Sequence, residues 1–172
     1  MCFFGRPARG FTLIELLVAM SVLGLLVFLA LPSYRTWIQN THIRTMSDAL
    51  LNGLQLARAE AVKRNGLVTF TLNGSDWTVT DPSGTTIQSR QGSEGSSNAV
   101  VTVTPAGTTA VGFNGLGRST VGSVVSFNVT NPTGGTCQTD GGTMRCLRVE
   151  VQIGGQVRMC DPKLAATDPM GC

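Results

Sequence analysis

The sequence predicts an α+β protein: one long, kinked N-terminal helix, membrane-spanning in its first half, packed on a head of antiparallel β-sheet. Three observations carry that expectation. Between Phe11 and Leu31 the only polar residues are Thr12, Glu15 and Ser21. Apolar residues then recur at intervals of three and four as far as Ala61. Beyond residue 65 the composition changes, because all but Gly5, Gly10, Gly24 and Gly53 of the 21 glycines lie there, among short runs rich in valine and threonine. A chain of 172 residues, 42% hydrophobic and 13% charged, suffices for one folded domain and an anchor. It excludes a disordered tail, a collagen-like repeat and a multi-domain enzyme. The formal net charge of +3 excludes a globally basic nucleic-acid or membrane-coating protein.

At 1.5 Å per residue, a helix from Phe11 to Leu31 spans roughly 30 Å, the thickness of a bilayer's hydrocarbon core. No charge lies between Glu15 and Arg35, and Arg6 and Arg9 precede the run. The positive-inside rule then leaves the short N-terminus in the cytoplasm and sends the bulk of the chain across, with Arg35 and Arg44 reducing the asymmetry. Leu29-Ala30-Leu31-Pro32 is a poor signal-peptide cleavage site. Glu15 is the odd residue, since a carboxylate inside a span costs a few kcal/mol without a partner. Two readings stand on the residues alone: a functional carboxylate, or one that snorkels back to the headgroups.

Gly10-Phe11-Thr12-Leu13-Ile14-Glu15-Leu16-Leu17-Val18, after a short basic leader, resembles the prepilin signature of type IV pilins and pseudopilins. The resemblance implies that a membrane prepilin peptidase cuts between Gly10 and Phe11 and N-methylates Phe11. It also implies assembly with other pilins or pseudopilins through the N-terminal helix. Glu15 then gains a role: the new α-amino group of Phe11 is a cation at the membrane edge, and the Glu15 carboxylate of a neighbouring subunit offsets it in low dielectric. Before assembly the protein would be a single-pass inner-membrane protein with a periplasmic head, and afterwards part of a pilus or pseudopilus.

Past Pro32, which is expected to kink the helix or interrupt it at Leu31, Ile43, Met46, Leu50, Leu54, Ala57 and Ala61 form one apolar stripe. Glu60 and Arg64 make a favourable i, i+4 pair, and Asn65-Gly66 supplies the stop. The order is therefore leader 1–10, membrane or filament-core helix 11–34, amphipathic helix 35–64 and head 65–172. Within the head, 67–72, 77–80, 99–103, 124–129 and 147–153 read as strands, with Asp81-Pro82-Ser83-Gly84, Asn131-Pro132 and Gly154-Gly155 as turns. Strands without intervening helices imply antiparallel pairing. Gln91 to Ser97 reads as a mobile loop.

Three stretches, 56–66, Gly112 to Arg118 and 147–160, together resemble the GspH/FimT group of minor pilins and pseudopilins, which implies a head of two β-sheets. The Gly-x-Gly within Gly112 to Arg118 lacks the strand–turn–helix setting of a nucleotide site and reads as a tight turn. Four cysteines remain after the leader: Cys137, Cys146, Cys160 and Cys172. Three pairings can be drawn. Nearest neighbours are favoured, because Cys137 and Cys146 flank the turn sequence Asp140-Gly141-Gly142, while Cys160 and Cys172 can tie the tail to the last strand. A zinc site is the competing reading, but there is no Cys-x-x-Cys pair and an exported head sits in an oxidising compartment.

Neither a catalytic constellation nor a cofactor motif is found, and the single histidine, His42, falls on a helix. The chain reads as a structural subunit: a minor pilin that enters or primes a type IV pilus and presents its head near the tip. The alternatives are a pseudopilin of a type II secretion system and a FimT-like DNA-binding pilin. From residue 65 onward Arg90, Arg118, Arg145, Arg148, Arg158 and Lys163 face Asp76, Asp81, Glu94, Asp140, Glu150, Asp161 and Asp168, a balance that opposes phosphate attraction. Only the stretch with Arg145, Arg148, Arg158 and Lys163 is locally basic. FimT-like DNA receptors carry Gly-Arg-x-Arg at the position of Gly155 to Arg158, and Gln156 replaces the first arginine here. Weak DNA contact at most is expected, and the plainer reading of Arg158 is a solvated strand residue or a partner of Asp161.

Overall fold

The computed structural model of the chain describes residues 10–172. Arg6, Arg9, Cys2 and the rest of the leader before Gly10 lie outside the described residues. Helix α1 runs Leu13–Arg64, so Pro32 does not end it at Leu31. The chain divides into two compact units at the bond between Arg35 and Thr36.

In the first unit, Thr12 caps the helix: its Oγ1 accepts the Glu15 backbone N–H at 3.2 Å, and its carbonyl accepts that of Leu16 at 3.1 Å. Every side chain from Phe11 to Leu31 is exposed. The most apolar 18-residue window of α1 has a mean hydropathy of 2.6, enough by length and composition to cross a membrane.

The second unit contains the rest of α1 and eight strands: β1 (Val68–Asn73), β2 (Asp76–Thr80), β3 (Thr86–Arg90), β4 (Val100–Thr104), β5 (Ala110–Phe113), β6 (Val125–Thr130), β7 (Leu147–Val151) and β8 (Val157–Cys160). They form two four-stranded antiparallel sheets, ordered β3-β2-β1-β5 and β4-β6-β7-β8. Alternation sets which face is buried: Val68, Phe70 and Leu72 on β1 and Val125, Phe127 and Val129 on β6 point inward, with threonine, serine and asparagine between them. The sheets meet in one core, where Phe70 and Phe127 pack edge to face at 5.9 Å. All six residues of the predicted helical stripe, Ile43 to Ala61, are buried in that core.

At Gly53 helix and sheet approach closely. A Cβ there would lie 2.9 Å from Phe70 Cε2 and 3.1 Å from Trp77 Cζ2, and both rings are buried and stacked on each other. A second constraint acts at the helix end. Asn65 takes φ of 48°, and the N–H groups of Asn65 and Gly66 reach the carbonyls of Val62 and Ala61 at 3.2 and 3.1 Å, a Schellman closure. Glu60 accepts from Arg64 at 2.8 Å and Lys63 at 3.2 Å, while Arg64 also approaches Asp81 at 3.4 Å. Asp81 Oδ1 in turn accepts from Ser83 Oγ and from the backbone N–H groups of Ser83 and Thr85. This chain of contacts ties the helix end to the β2–β3 turn.

β3 and β5 were not expected, whereas β8 is the last strand, on which Arg158 and Cys160 were placed. β3 is an edge strand on which no side chain is fully buried, and β5 is four residues long and contains Gly112, so neither presents a full alternating pattern. The segment 91–97 differs from the loop expected there: it holds a single irregular helical turn, α2 (Ser93–Ser96), anchored by Gly92 N–H on Asp76 Oδ1 at 2.7 Å and by buried Ser96.

Replacing glycine by alanine inside a helix ordinarily stabilises by about 1 kcal/mol. At Gly53 the new methyl group meets two rings with nowhere to move, an overpacking cost of about 1–3 kcal/mol. Gly53→Ala is therefore expected to lower the melting temperature by about 2–4 °C; a rise on thermal unfolding would contradict the close approach. Hydrogen bonds from Arg64 and Lys63 hold the Glu60 carboxyl below its ordinary value, and those from Ser83 and Thr85 do the same for Asp81. Their stabilisation is complete above the ordinary carboxylate range and is lost as pH falls through the lowered values. Asp81→Asn should thus melt below the parent at neutral pH, with the gap closing on acidification below the ordinary carboxylate range; a gap that stays constant in parallel melts would refute the linkage.

Candidate functional site

The N-terminal site is built by the start of α1. Gly10, Phe11 and Glu15 are all exposed, Phe11 by 83%. Thr12 and Glu15 stand three apart as N-cap and third helical residue, the spacing of a capping box, and the Thr12 half of that box is formed. Sequence reasoning passed over Thr12, although a threonine three residues before a glutamate is a readable helix-start signal. The pairing of Glu15 with a Phe11 amine needs a second subunit, and within one chain the glutamate side chain stands on an apolar, solvent-facing helix.

The basic stretch lies on the head. Arg148, Glu150 and Arg158 share the outer face of the second sheet, where Glu150 and Arg158 are direct cross-strand partners. The Glu150 carboxylate, 8% exposed, accepts from Arg158 Nε at 3.1 Å and Nη2 at 2.9 Å, with Arg148 Nη1 at 3.7 Å. Arg148 Nε donates to Asn128 at 2.7 Å. Arg145 lies elsewhere: its Nε donates to the buried Asp161 at 2.7 Å, and its backbone N–H donates to Asn40 at 2.7 Å. Arg158 is therefore paired with Glu150, and Asp161, its expected alternative, belongs to Arg145. Lys163 is exposed near the tail. Three of the four cations thus already face carboxylates, and a phosphate at Arg148 or Arg158 would have to compete with the Glu150 ion pairs.

Cys137 bridges Cys146, and Cys160 bridges Cys172. The first bridge spans a 3-10 turn, Gln138–Asp140, closed by Gly141 at φ of 79°. The second ties the tail to β8, where Asp161 pairs with Gly171 and takes the N–H of Lys163 on its side chain. Glu150 lies beside Cys160 and Cys172 with ligand atoms within 4.8 Å of one another, but both sulfurs are bonded and offer no thiolate. His42 is half-buried in α1, and its Nδ1 has no hydrogen-bond partner among the described residues. The stretch from Gly112 to Arg118 is a hairpin turn: Asn114 Oδ1 accepts from the N–H groups of Leu116 and Arg118 at 3.0 Å, and Gly117, at φ of 71°, donates back to the Asn114 carbonyl. Gly117 also takes Arg58 Nε on its carbonyl at 3.1 Å, joining this turn to α1.

Comparison with known proteins bears on both surfaces. Residues 47–155 match the family described as Type II transport protein GspH. Residues 5–31 match the prokaryotic N-terminal methylation motif. Among solved structures, the Pseudomonas aeruginosa type IV minor pilin FimU is similar in two crystal forms, at 14% identity and TM-scores of 0.59 and 0.55. The likeness covers 73% of this chain and 93% and 98% of the FimU chains, and at that identity it is one of fold. A search of curated proteins finds no match. With the first match spanning residues 47–155, most of the amphipathic helix and head, and the methylation motif on the apolar run, the chain belongs to the GspH family of type IV pilin-like proteins, the minor pilins and pseudopilins.

Proposed function

We propose that the chain is a minor pilin that joins or primes a type IV pilus and presents its β head near the tip, as a structural subunit and not an enzyme. The observation that carries this reading is the uninterrupted exposure of Phe11 to Leu31 in a protein whose head has completed its own core. Such a helix must be covered by lipid and then by the helices of other subunits. Cleavage after Gly10 by a prepilin peptidase would free the Phe11 amine, and the Glu15 carboxylate of a neighbour would pair with it. Two unit charges 4 Å apart attract by about 4 kcal/mol at an effective dielectric of 20, part of which offsets desolvation. The gain is register more than net stability. The inner membrane, with the head in the periplasm, is then the waiting state.

A pseudopilin of a type II secretion system is the second reading, favoured by the family's own description as a transport protein. The fold of FimU, itself a type IV minor pilin, favours the first. A FimT-like DNA-binding role ranks below both, because Arg148 and Arg158, in the stretch where that motif would lie, are already engaged by Glu150.

Glu15→Val should leave processing and folding intact and make the span more lipid-soluble, yet reduce entry into sheared pili by about tenfold or more, the equivalent of about 1.4 kcal/mol. Quantitative blotting of sheared filaments against whole cells measures the ratio. Equal incorporation of variant and parent would overturn the pairing, and a strain lacking the protein that keeps its pili but loses secretion would select the second reading.

A further inference from the structure

A cleft of about 250 Å³ opens on the head between α1 and the segment leading into β7, lined by Trp37, Asn40, Thr41, Arg44, Arg145 and Leu147. Two of its walls are cationic, and no carboxylate lines it. Arg145 is fixed from behind, its backbone by Asn40 and its Nε by the buried Asp161, which leaves its two terminal nitrogens as donors. Arg44 makes only a loose pair with Asp48, at 3.7 Å and well exposed. Trp37 is 63% exposed at the mouth.

The place of this cleft in the chain says what fills it. Trp37 follows the apolar run by six residues, and six residues cannot carry it farther than about 20 Å from Leu31. The headgroup layer on each side of a bilayer is several ångströms thick; tryptophan is enriched there, and arginine serves as a further interfacial anchor. We propose that, before assembly, this cleft holds the phosphate of an anionic phospholipid headgroup, with Arg44 and Arg145 as its donors and Trp37 seated in the interfacial layer. The site would hold the head against the bilayer in the waiting state and empty when the subunit leaves for a filament. It accounts for Arg44, which as a cation just beyond the span otherwise weakens the charge asymmetry that orients the chain. The inference rests on the reading of Phe11 to Leu31 as membrane-inserted before assembly.

The test uses the full chain in vesicles of phosphatidylcholine alone or with about one-third phosphatidylglycerol, each doped with headgroup-labelled quenching lipid. Trp77 is buried, and its background is removed by subtracting the signal of Trp37→Phe. Quenching of Trp37 should be about twofold greater in the anionic vesicles, fall to the neutral value in Arg44→Gln/Arg145→Gln, and fall likewise at high salt. Because Arg145→Gln also strips Asp161 of its partner, Arg44→Gln alone is the second variant, expected to remove about half of the excess without changing the near-ultraviolet circular dichroism. Equal quenching in both lipids, or an excess that survives Arg44→Gln and high salt, overturns the cleft. Flotation of the chain with neutral vesicles reports insertion separately: a protein that floats but shows no anionic excess refutes this site and leaves the membrane reading standing, whereas one that fails to float refutes that reading first.

Discussion

An apolar helix that its own chain leaves uncovered is the constraint from which the rest follows. Each leucine, valine, isoleucine or phenylalanine side chain moved from water into an apolar setting contributes about 1.5–3 kcal/mol. Summed from Phe11 to Leu31, that exceeds the entire folding stability of an ordinary domain, about 5–15 kcal/mol. Exposure to water is therefore not a resting state. Lipid and the helices of other subunits are the two covers that such a surface accepts, and they are interchangeable because lipid tails are as apolar as leucine. What distinguishes them is polar: a carboxylate at Glu15 is costly in lipid and satisfied beside a cation.

The head is held together by a core of its own. Its core joins both sheets and the amphipathic part of α1, with Gly53 letting the helix sit directly on Phe70 and Trp77. The two disulfides close the least regular parts, the 3-10 turn before β7 and the tail after β8. Charges on the outer face of the second sheet are spent on one another, Glu150 taking Arg158 and Arg148. That self-pairing is what places an assembly role ahead of a phosphate-binding one.

Much of this was legible in the sequence, and the reasons are specific. The helical stripe from Ile43 to Ala61 could be read because one face meets a continuous core, so every third or fourth position is constrained. β1, β2 and β6 could be read because each has one buried and one open face. β3 and β5 could not, since an edge strand with polar residues and a four-residue strand with an internal glycine carry too little alternation. Glu15 stood out as a charge in an apolar run, whereas Thr12, three residues before it, offered only the capping-box spacing of a helix start, which bears on local structure and not on function. The partner of Arg158 was out of reach as well: Glu150 and Asp161 are both near in sequence, and only the strand register chooses between them.

The central claim is that the exposed helix is a packing surface whose first residue becomes a cation. Intact-mass and N-terminal peptide spectrometry of the protein recovered from filaments tests it most directly, because the α-amine proposed to pair with Glu15 would exist only after cleavage. The account predicts a chain that begins at Phe11 and carries a methyl group on that nitrogen. A filament-borne chain that still begins at Met1 would contradict it.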